Sequence, residues 1–148
     1  MARILIVEDS FVVAQMIENV AIEQGHSVVG AAPSATAALS IARRLQPDLV
    51  ILDLQLADGR VGEALARTLI SEISASILVC SAFADWVLRH VEERVRPCAT
   101  VRKPIDLDEL RAAIESCLGG GDADAADSAR GPMRGPSGAK PSAAAPTP

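Results

Sequence analysis

Five short aliphatic runs, each followed by a segment with the 3.6-residue period of an amphipathic helix, fill residues 1 to 118. This alternation specifies βα units around a parallel sheet and leaves little room for any other architecture. The runs place strands at Arg3 to Val7, Ser27 to Ala31, Leu49 to Leu52, Ser76 to Cys80 and Ala99 to Val101. The first, third and fourth are almost continuously apolar, as strands buried on both faces must be.

The intervening segments carry helix signals of their own. The first starts near Ser10, sets Val13, Met16, Ile17 and Val20 on one stripe, and stops at Gly25, which tolerates the left-handed conformation. The second begins near Ser34 and ends before Pro47. A third buries Leu65, Leu69 and Ile73, and a fourth Val87, Leu88, Val91 and Val95. In the last, Asp106 caps the helix while Glu109 reaches back, Ile105 staples onto Leu110, and Leu107, Leu110, Ile114 and Leu118 form the buried stripe.

With 148 residues, two Phe, one Trp and no Tyr, the chain is one domain whose core must be aliphatic. A net charge of -5 excludes a nucleic-acid surface, which needs clustered Lys and Arg, and favours a soluble cytoplasmic protein. No run approaches the roughly 20 apolar residues that span a bilayer, and no signal peptide opens the chain, so no membrane contact is expected. The three cysteines lack the spacing of a zinc site and are expected to be reduced, packed thiols. From Gly119 to Pro148 the composition turns to Gly, Ala, Pro, Ser and Asp, that of a disordered tail; its Asp122, Asp124 and Asp127 cancel Arg130, Arg134 and Lys140.

In an open parallel sheet, ligands bind beyond the carboxyl ends of the strands. Glu8 and Asp9 follow the first strand, Asp53 the third, Ser81 the fourth and Lys103 the fifth. Taken singly, each has a plain explanation: acids at a helix start, a loop cap, a turn serine, a solvated lysine. Independent caps would not all gather at one sheet end. Three carboxylates in one place repel unless a cation lies between them, and Mg²⁺, which prefers hard oxygen ligands, suits such a set. Asp53 can then act as nucleophile toward a phosphoryl group, with Lys103 and Ser81 holding the phosphoryl oxygens.

The series Ile-Leu-Ile-Val-Glu8-Asp9-Ser, Leu-Asp53-Leu-Gln-Leu-Ala-Asp-Gly, Val-Cys-Ser81-Ala and Arg-Lys103-Pro104-Ile resembles the receiver domains of two-component response regulators over residues 1 to about 118. The resemblance implies a flavodoxin-like α/β fold with strand order 2-1-3-4-5. It implies phosphorylation of Asp53 by a sensor histidine kinase or a histidine phosphotransfer protein. It further implies Mg²⁺ on Asp9, Asp53, the main-chain oxygen of Gln55 and, partly through water, Glu8, with Ser81 and Lys103 on the phosphoryl group and a cis Lys103-Pro104 peptide. Thr100 stands where the family usually has an aromatic residue, three positions before the lysine. The loop after Asp53 reads short, with Ala57 in place of a common proline and Asp58-Gly59 arriving early. Gln55 and Phe83 occupy places that in the family govern attack of water on the phosphoryl group; a bulky Phe83 implies slow hydrolysis, and Phe83 is also a candidate to replace the missing aromatic.

No DNA-binding or catalytic segment follows Leu118, so output is expected through protein contacts or a phosphorelay, with a homodimer through helix 4, strand 5 and helix 5 as a further expectation. The chain is not expected to be an enzyme beyond its own phosphorylation and dephosphorylation. The alternative is a binding scaffold that works without phosphorylation. A phosphohydrolase is disfavoured because Gln55, two residues beyond Asp53, cannot protonate a leaving group. His26 reads as a loop residue, Trp86 with His90 as a small docking patch, and Arg43-Arg44 and Glu92-Glu93-Arg94 as solvated helix faces.

Overall fold

The computed structural model describes residues 1–56, 62–83 and 85–119. Strands β1 (Arg3–Val7), β2 (Ser27–Ala32), β3 (Leu49–Asp53), β4 (Ser76–Ser81) and β5 (Ala99–Arg102) alternate with helices α1 (Phe11–Glu23), α2 (Ala35–Leu45), α3 (Gly62–Glu72), α4 (Asp85–Val95) and α5 (Leu107–Leu118). The strands form one parallel sheet in the order β2-β1-β3-β4-β5. The sequence pattern implies βα units around a parallel sheet, and the resemblance implies this flavodoxin-like strand order.

Four strands run one residue beyond their aliphatic runs, to Ala32, Asp53, Ser81 and Arg102. Asp53 pairs in register with Cys80, and Ser81 with Arg102. The acceptor candidate and the hydroxyl therefore sit on the sheet itself, on its rigid last rungs. Asp53, Ser81 and Arg102 are polar and carry no apolar signal, which is why the pattern stops short of them.

Packing follows the expected stripes with local departures. Ile4 to Val7, Leu49 to Leu52 and Ile77 to Cys80 are buried throughout, as central strands covered on both faces should be. In α1 the buried residues are Ala14, Ile17, Val20 and Ala21, with Val13 and Met16 only half-buried, because small alanines let this helix lie close to the sheet. Leu65, Leu69 and Ile73 are buried as expected; Leu88, Val91 and Val95 are too, and Val87 is half-buried. Leu107 corrects the expectation for α5: it is exposed, lining a groove with Phe11 and Val12 of α1, while Leu110, Ala113 and Ile114 form the buried stripe and Leu118 is half-buried. As the first residue of its helix, Leu107 precedes the turn that packs against the sheet.

The helix ends carry the chemistry that the sequence announced. Ser10 and Ser34 side chains accept from the N–H groups of Val13 and Ala37 at 3.3 Å, and Asp106 Oδ1 accepts from Glu109 at 3.0 Å. Gly25 has φ of +89° just after α1. His26 Nδ1 accepts from the Ala2 N–H, tying the chain start to the entrance of β2.

Two of the three cysteines overturn the expectation of free thiols. Cys98, just before β5, and Cys117, in the last turn of α5, form a disulfide with a Cα–Cα separation of 5.3 Å. The residues lie 19 apart in sequence, and only the return of α5 along the sheet brings them together. Cys80 is free and buried, as expected. Arg43, Arg44, Glu93 and Arg94 are exposed, as expected of solvated helix faces, with Arg43 paired to Glu72 at 3.0 Å and Arg94 to Glu63 at 2.8 Å. No helix among the described residues is long and apolar enough to cross a membrane. The expected short loop at Ala57 to Gly59, and the tail from residue 120 onward, lie outside the described residues.

Candidate functional site

The carboxyl ends of β1, β3, β4 and β5 bring the five polar residues into one place. Glu8 leaves β1 with its N–H donating to the Ala32 carbonyl at 2.9 Å, and its Oε2 accepts from the Ser10 N–H at 3.1 Å. One carboxylate oxygen from each of Glu8, Asp9 and Asp53 lies within 4.8 Å of the others. Asp9 is exposed, whereas Glu8 and Asp53 are only 4% and 7% exposed. The site is thus a buried acidic floor with one exposed acid at its rim.

Lys103 reaches in from beyond β5. Its Nζ donates to Glu8 Oε1 at 2.7 Å and to Asp53 Oδ2 at 3.2 Å. Its backbone N–H donates to the Ser81 carbonyl at 2.9 Å, and the Lys103-Pro104 peptide is cis, as the resemblance implies. Ser81 is buried at the end of β4, where its Oγ accepts from the Phe83 N–H at 3.0 Å and keeps its own proton to donate. The Gln55 N–H donates to Asp53 Oδ1 at 3.0 Å. Asp53 therefore carries one backbone and one ammonium donor.

Electrostatics follow from this crowding. Burial pushes the Glu8 carboxyl above its ordinary 4.5; the Lys103 hydrogen bond and the Ser10 N–H oppose this, and the Asp53 charge reinforces it. Burial works against the charge on Lys103, but the Glu8 hydrogen bond and the charges of Asp53 and Glu8 outweigh it, so its pKa is raised above 10.5. The ammonium stays charged at any physiological pH. Three carboxylates against one ammonium leave two negative charges, matching a divalent cation, and the donors are hard oxygens of the kind Mg²⁺ prefers.

The raised Glu8 pKa gives a pH dependence with a definite sign. Protons compete with a cation for Glu8, so Mg²⁺ affinity should rise with pH through a midpoint above 4.5, the value of an ordinary Glu side chain. Calorimetric Mg²⁺ titrations between pH 4 and 8 would show it; affinity already at its plateau by pH 4.5 would contradict it. The same shift makes the folded state prefer protonated Glu8. In the absence of a cation, Glu8 thus contributes stability below 4.5 that is lost as pH rises through its folded pKa.

The remaining sequence candidates have distinct places. Thr100 is half-buried on β5 and its Oγ1 donates to Glu92 Oε2 of α4 at 2.7 Å, a polar tether where an aromatic was expected from the family. Phe83 is half-buried and packs against the core beside Ser81. Trp86 is 71% exposed at the start of α4, and His90, one turn on, is exposed too and contacts Arg94 at 2.8 Å. Two contributors escaped the sequence reading: the Ser10 N–H, visible there only as a helix cap, and Gly62. A Cβ on Gly62 would lie 2.5 Å from Leu54 Cα and 2.9 Å from the Asp53 carbonyl oxygen, so only glycine lets α3 approach the strand end that carries Asp53.

Comparison with known proteins identifies the family and the fold. Residues 4–115 match the family described as the response regulator receiver domain. The phyllosphere-induced regulator PhyR of Methylorubrum extorquens is 31% identical over 117 residues, which cover 78% of this chain and 43% of that protein. This chain therefore spans less than half the length of that relative. The sporulation initiation phosphotransferase F of Bacillus subtilis is 26% identical over 116 residues, covering 78% of this chain and 93% of that protein. Among solved structures, the receiver domain of the Erythrobacter litoralis PhyR response regulator superposes with a TM-score of 0.73 at 26% identity, covering 84% of this chain and 95% of that one.

Proposed function

The chain belongs to the response regulator receiver domains, and from that premise we propose that it accepts a phosphoryl group on Asp53 from a histidine kinase or histidine phosphotransfer protein in the cytoplasm. The observation that carries this reading is Lys103 Nζ bridging Glu8 and Asp53 at 2.7 and 3.2 Å, with Asp9 completing a three-carboxylate cluster. A nucleophile, a counter-cation and a metal-ligand set meet at one sheet end.

In the proposed reaction an Asp53 carboxylate oxygen attacks the phosphorus of a phosphohistidine. A new O–P bond forms as the N–P bond breaks, and the imidazole leaves with the electron pair. Lys103 moves from its carboxylate partners to a phosphoryl oxygen as a point charge, and Ser81 turns its hydroxyl proton toward another. Glu8, Asp9, Asp53 and the main-chain oxygen of Gln55 would hold Mg²⁺, which supplies charge neutralisation for the phosphoryl oxygens. Phe83, held against the core next to Ser81, would limit the approach of hydrolytic water.

Signalling then proceeds by relay or by binding a protein target. The similarity to a relative named as a sporulation initiation phosphotransferase supports relay. Pairing of two copies through α4, β5 and α5 would give the phosphorylated form a further output. Acetyl phosphate with Mg²⁺ should add one phosphoryl group, detected by intact mass, and Asp53→Asn should abolish it. Failure of the wild-type protein to take up the group would favour a phosphorylation-independent scaffold. In the same assay, Phe83→Ala should hasten decay of the adduct several-fold; an unchanged lifetime would remove the shielding role.

A further inference from the structure

We propose that the Cys98–Cys117 bridge is a thiol–disulfide exchange site for low-molecular-weight thiols that carry carboxylates, admitted through an arginine-lined cleft that Cys98 borders. The bridge is reachable, since Cys98 is exposed and Cys117 half-buried. The third cysteine is not part of it: Cys80 is buried, and burial pushes its thiol up to about 12. One accessible pair and one inert thiol make the chemistry selective.

The cleft supplies the second, independent observation. It has a volume of about 530 Å³, within the roughly 300–1,000 Å³ of small-ligand sites, and lies where α3, β4, α4 and the loop before β5 meet. Arg67, Arg94 and Arg96 line it together with Cys98, and among the described residues no acidic one does. Arg94 shares its charge with Glu63 at 2.8 Å. Arg67 and Arg96 have no carboxylate partner within 4 Å among the described residues. In a chain of net charge -5, a concave surface lined only by cationic charges selects anions.

Exchange at this site balances as follows. A carboxylate-bearing thiolate, drawn in by the guanidinium groups, attacks Cys98 Sγ; the bridge breaks and its electron pair leaves on Cys117 Sγ. A second thiolate attacks the small-molecule sulfur of the mixed disulfide, releasing the Cys98 thiolate and a small disulfide. Two thiols are oxidised and the bridge is reduced by two electrons. Opening frees the last turn of α5 from the loop before β5, at the amino ends of the strands and so remote from Asp53. Bridges of this kind in intracellular proteins are commonly transient and redox-sensing.

The test uses the full chain purified without reductant. Alkylation under denaturing conditions should label one cysteine before reduction and three after. Opening by 3-mercaptopropionate and by cysteamine, each divided by the rate at which the same thiolate opens an uncharged model disulfide, should favour the carboxylate thiol by about 10-fold. Arg67→Gln combined with Arg96→Gln should erase that preference, and in Cys117→Ser the disulfide of 3-mercaptopropionate should add to Cys98. Native Cys80 resisting alkylation in each variant shows that the fold is intact. Three labelled cysteines without reduction, equal opening by the two thiols on that scale, or a preference that survives the double substitution would each overturn the proposal.

Discussion

Replacing Lys103 by Met should slow phosphoryl transfer to Asp53 by about 100-fold or more, the usual effect of deleting one preorganised charge aimed at a transferring group. The ammonium lies 2.7 Å from Glu8 and 3.2 Å from Asp53, so the substitution also strips both buried carboxylates of their cation. Lys103 is only 20% exposed, and an unpaired buried charge of this kind costs about 3 kcal/mol of folding stability. Added Mg²⁺ should restore that stability, since a divalent cation relieves the same repulsion. The variant should therefore bind Mg²⁺ more tightly than the wild type, having lost a competing cation, and yet accept phosphate far more slowly. That split separates a charge role from mere unfolding. Transfer within about threefold of wild type, measured with a small phosphodonor, would remove Lys103 from the reaction.

Gly62→Ala should be the most damaging single-methyl change outside the site. In the interior of an exposed helix the same change stabilises by about 1 kcal/mol, because Ala is the better helix former. Here the added Cβ would meet Leu54 Cα at 2.5 Å and the Leu54 and Asp53 carbonyl oxygens at 2.7 and 2.9 Å. These are backbone atoms that cannot swing aside. Either α3 moves away from the sheet or the end of β3 is displaced, and overpacking of this severity costs about 3 kcal/mol. A thermal midpoint lower by about 10 °C is expected, together with impaired phosphorylation because Asp53 moves with its strand. A midpoint equal to or above that of the wild type would mean that helix propensity wins and that the close approach is relaxed in solution.

Gly62 also marks the boundary between what the sequence discloses and what it does not. The aliphatic runs at Ile4 to Val7, Leu49 to Leu52 and Ile77 to Cys80 announce strands because central parallel strands are apolar on both faces. The polar residues after them announce a site because ligand positions in such sheets follow from topology. By contrast, a close approach such as Gly62 on Leu54 depends on how a helix and a strand end meet, which no periodicity encodes. Leu107 looked like core because its spacing from Leu110 and Ile114 fits a helical stripe, yet as the first residue of α5 it lies before the packed turns and lines the groove with Phe11.

The cysteines show the same limit. Cys98 and Cys117 carry no pairing signal, and three cysteines without the spacing of a zinc site read as free thiols; only the course of α5 along the sheet brings them within 5.3 Å. Thr100 was legible as a departure from the family pattern, but its bond to Glu92 was not, because a threonine in a strand does not name its partner on the neighbouring helix. The gathering of Glu8, Asp9, Asp53, Ser81 and Lys103 at one sheet end was readable, since each directly follows or ends a strand that the apolar runs announce.

The central claim is that the carboxyl end of this sheet holds a phosphoryl group on Asp53 beside a divalent cation. Fluorine NMR of the full chain with beryllium fluoride, a mimic of a phosphoryl group on a carboxylate, tests it without relying on turnover. The account predicts a bound resonance that requires Mg²⁺ and vanishes in Asp53→Asn. A bound resonance that persists in Asp53→Asn or without Mg²⁺, or no bound resonance at all with the wild-type protein and Mg²⁺, would contradict it.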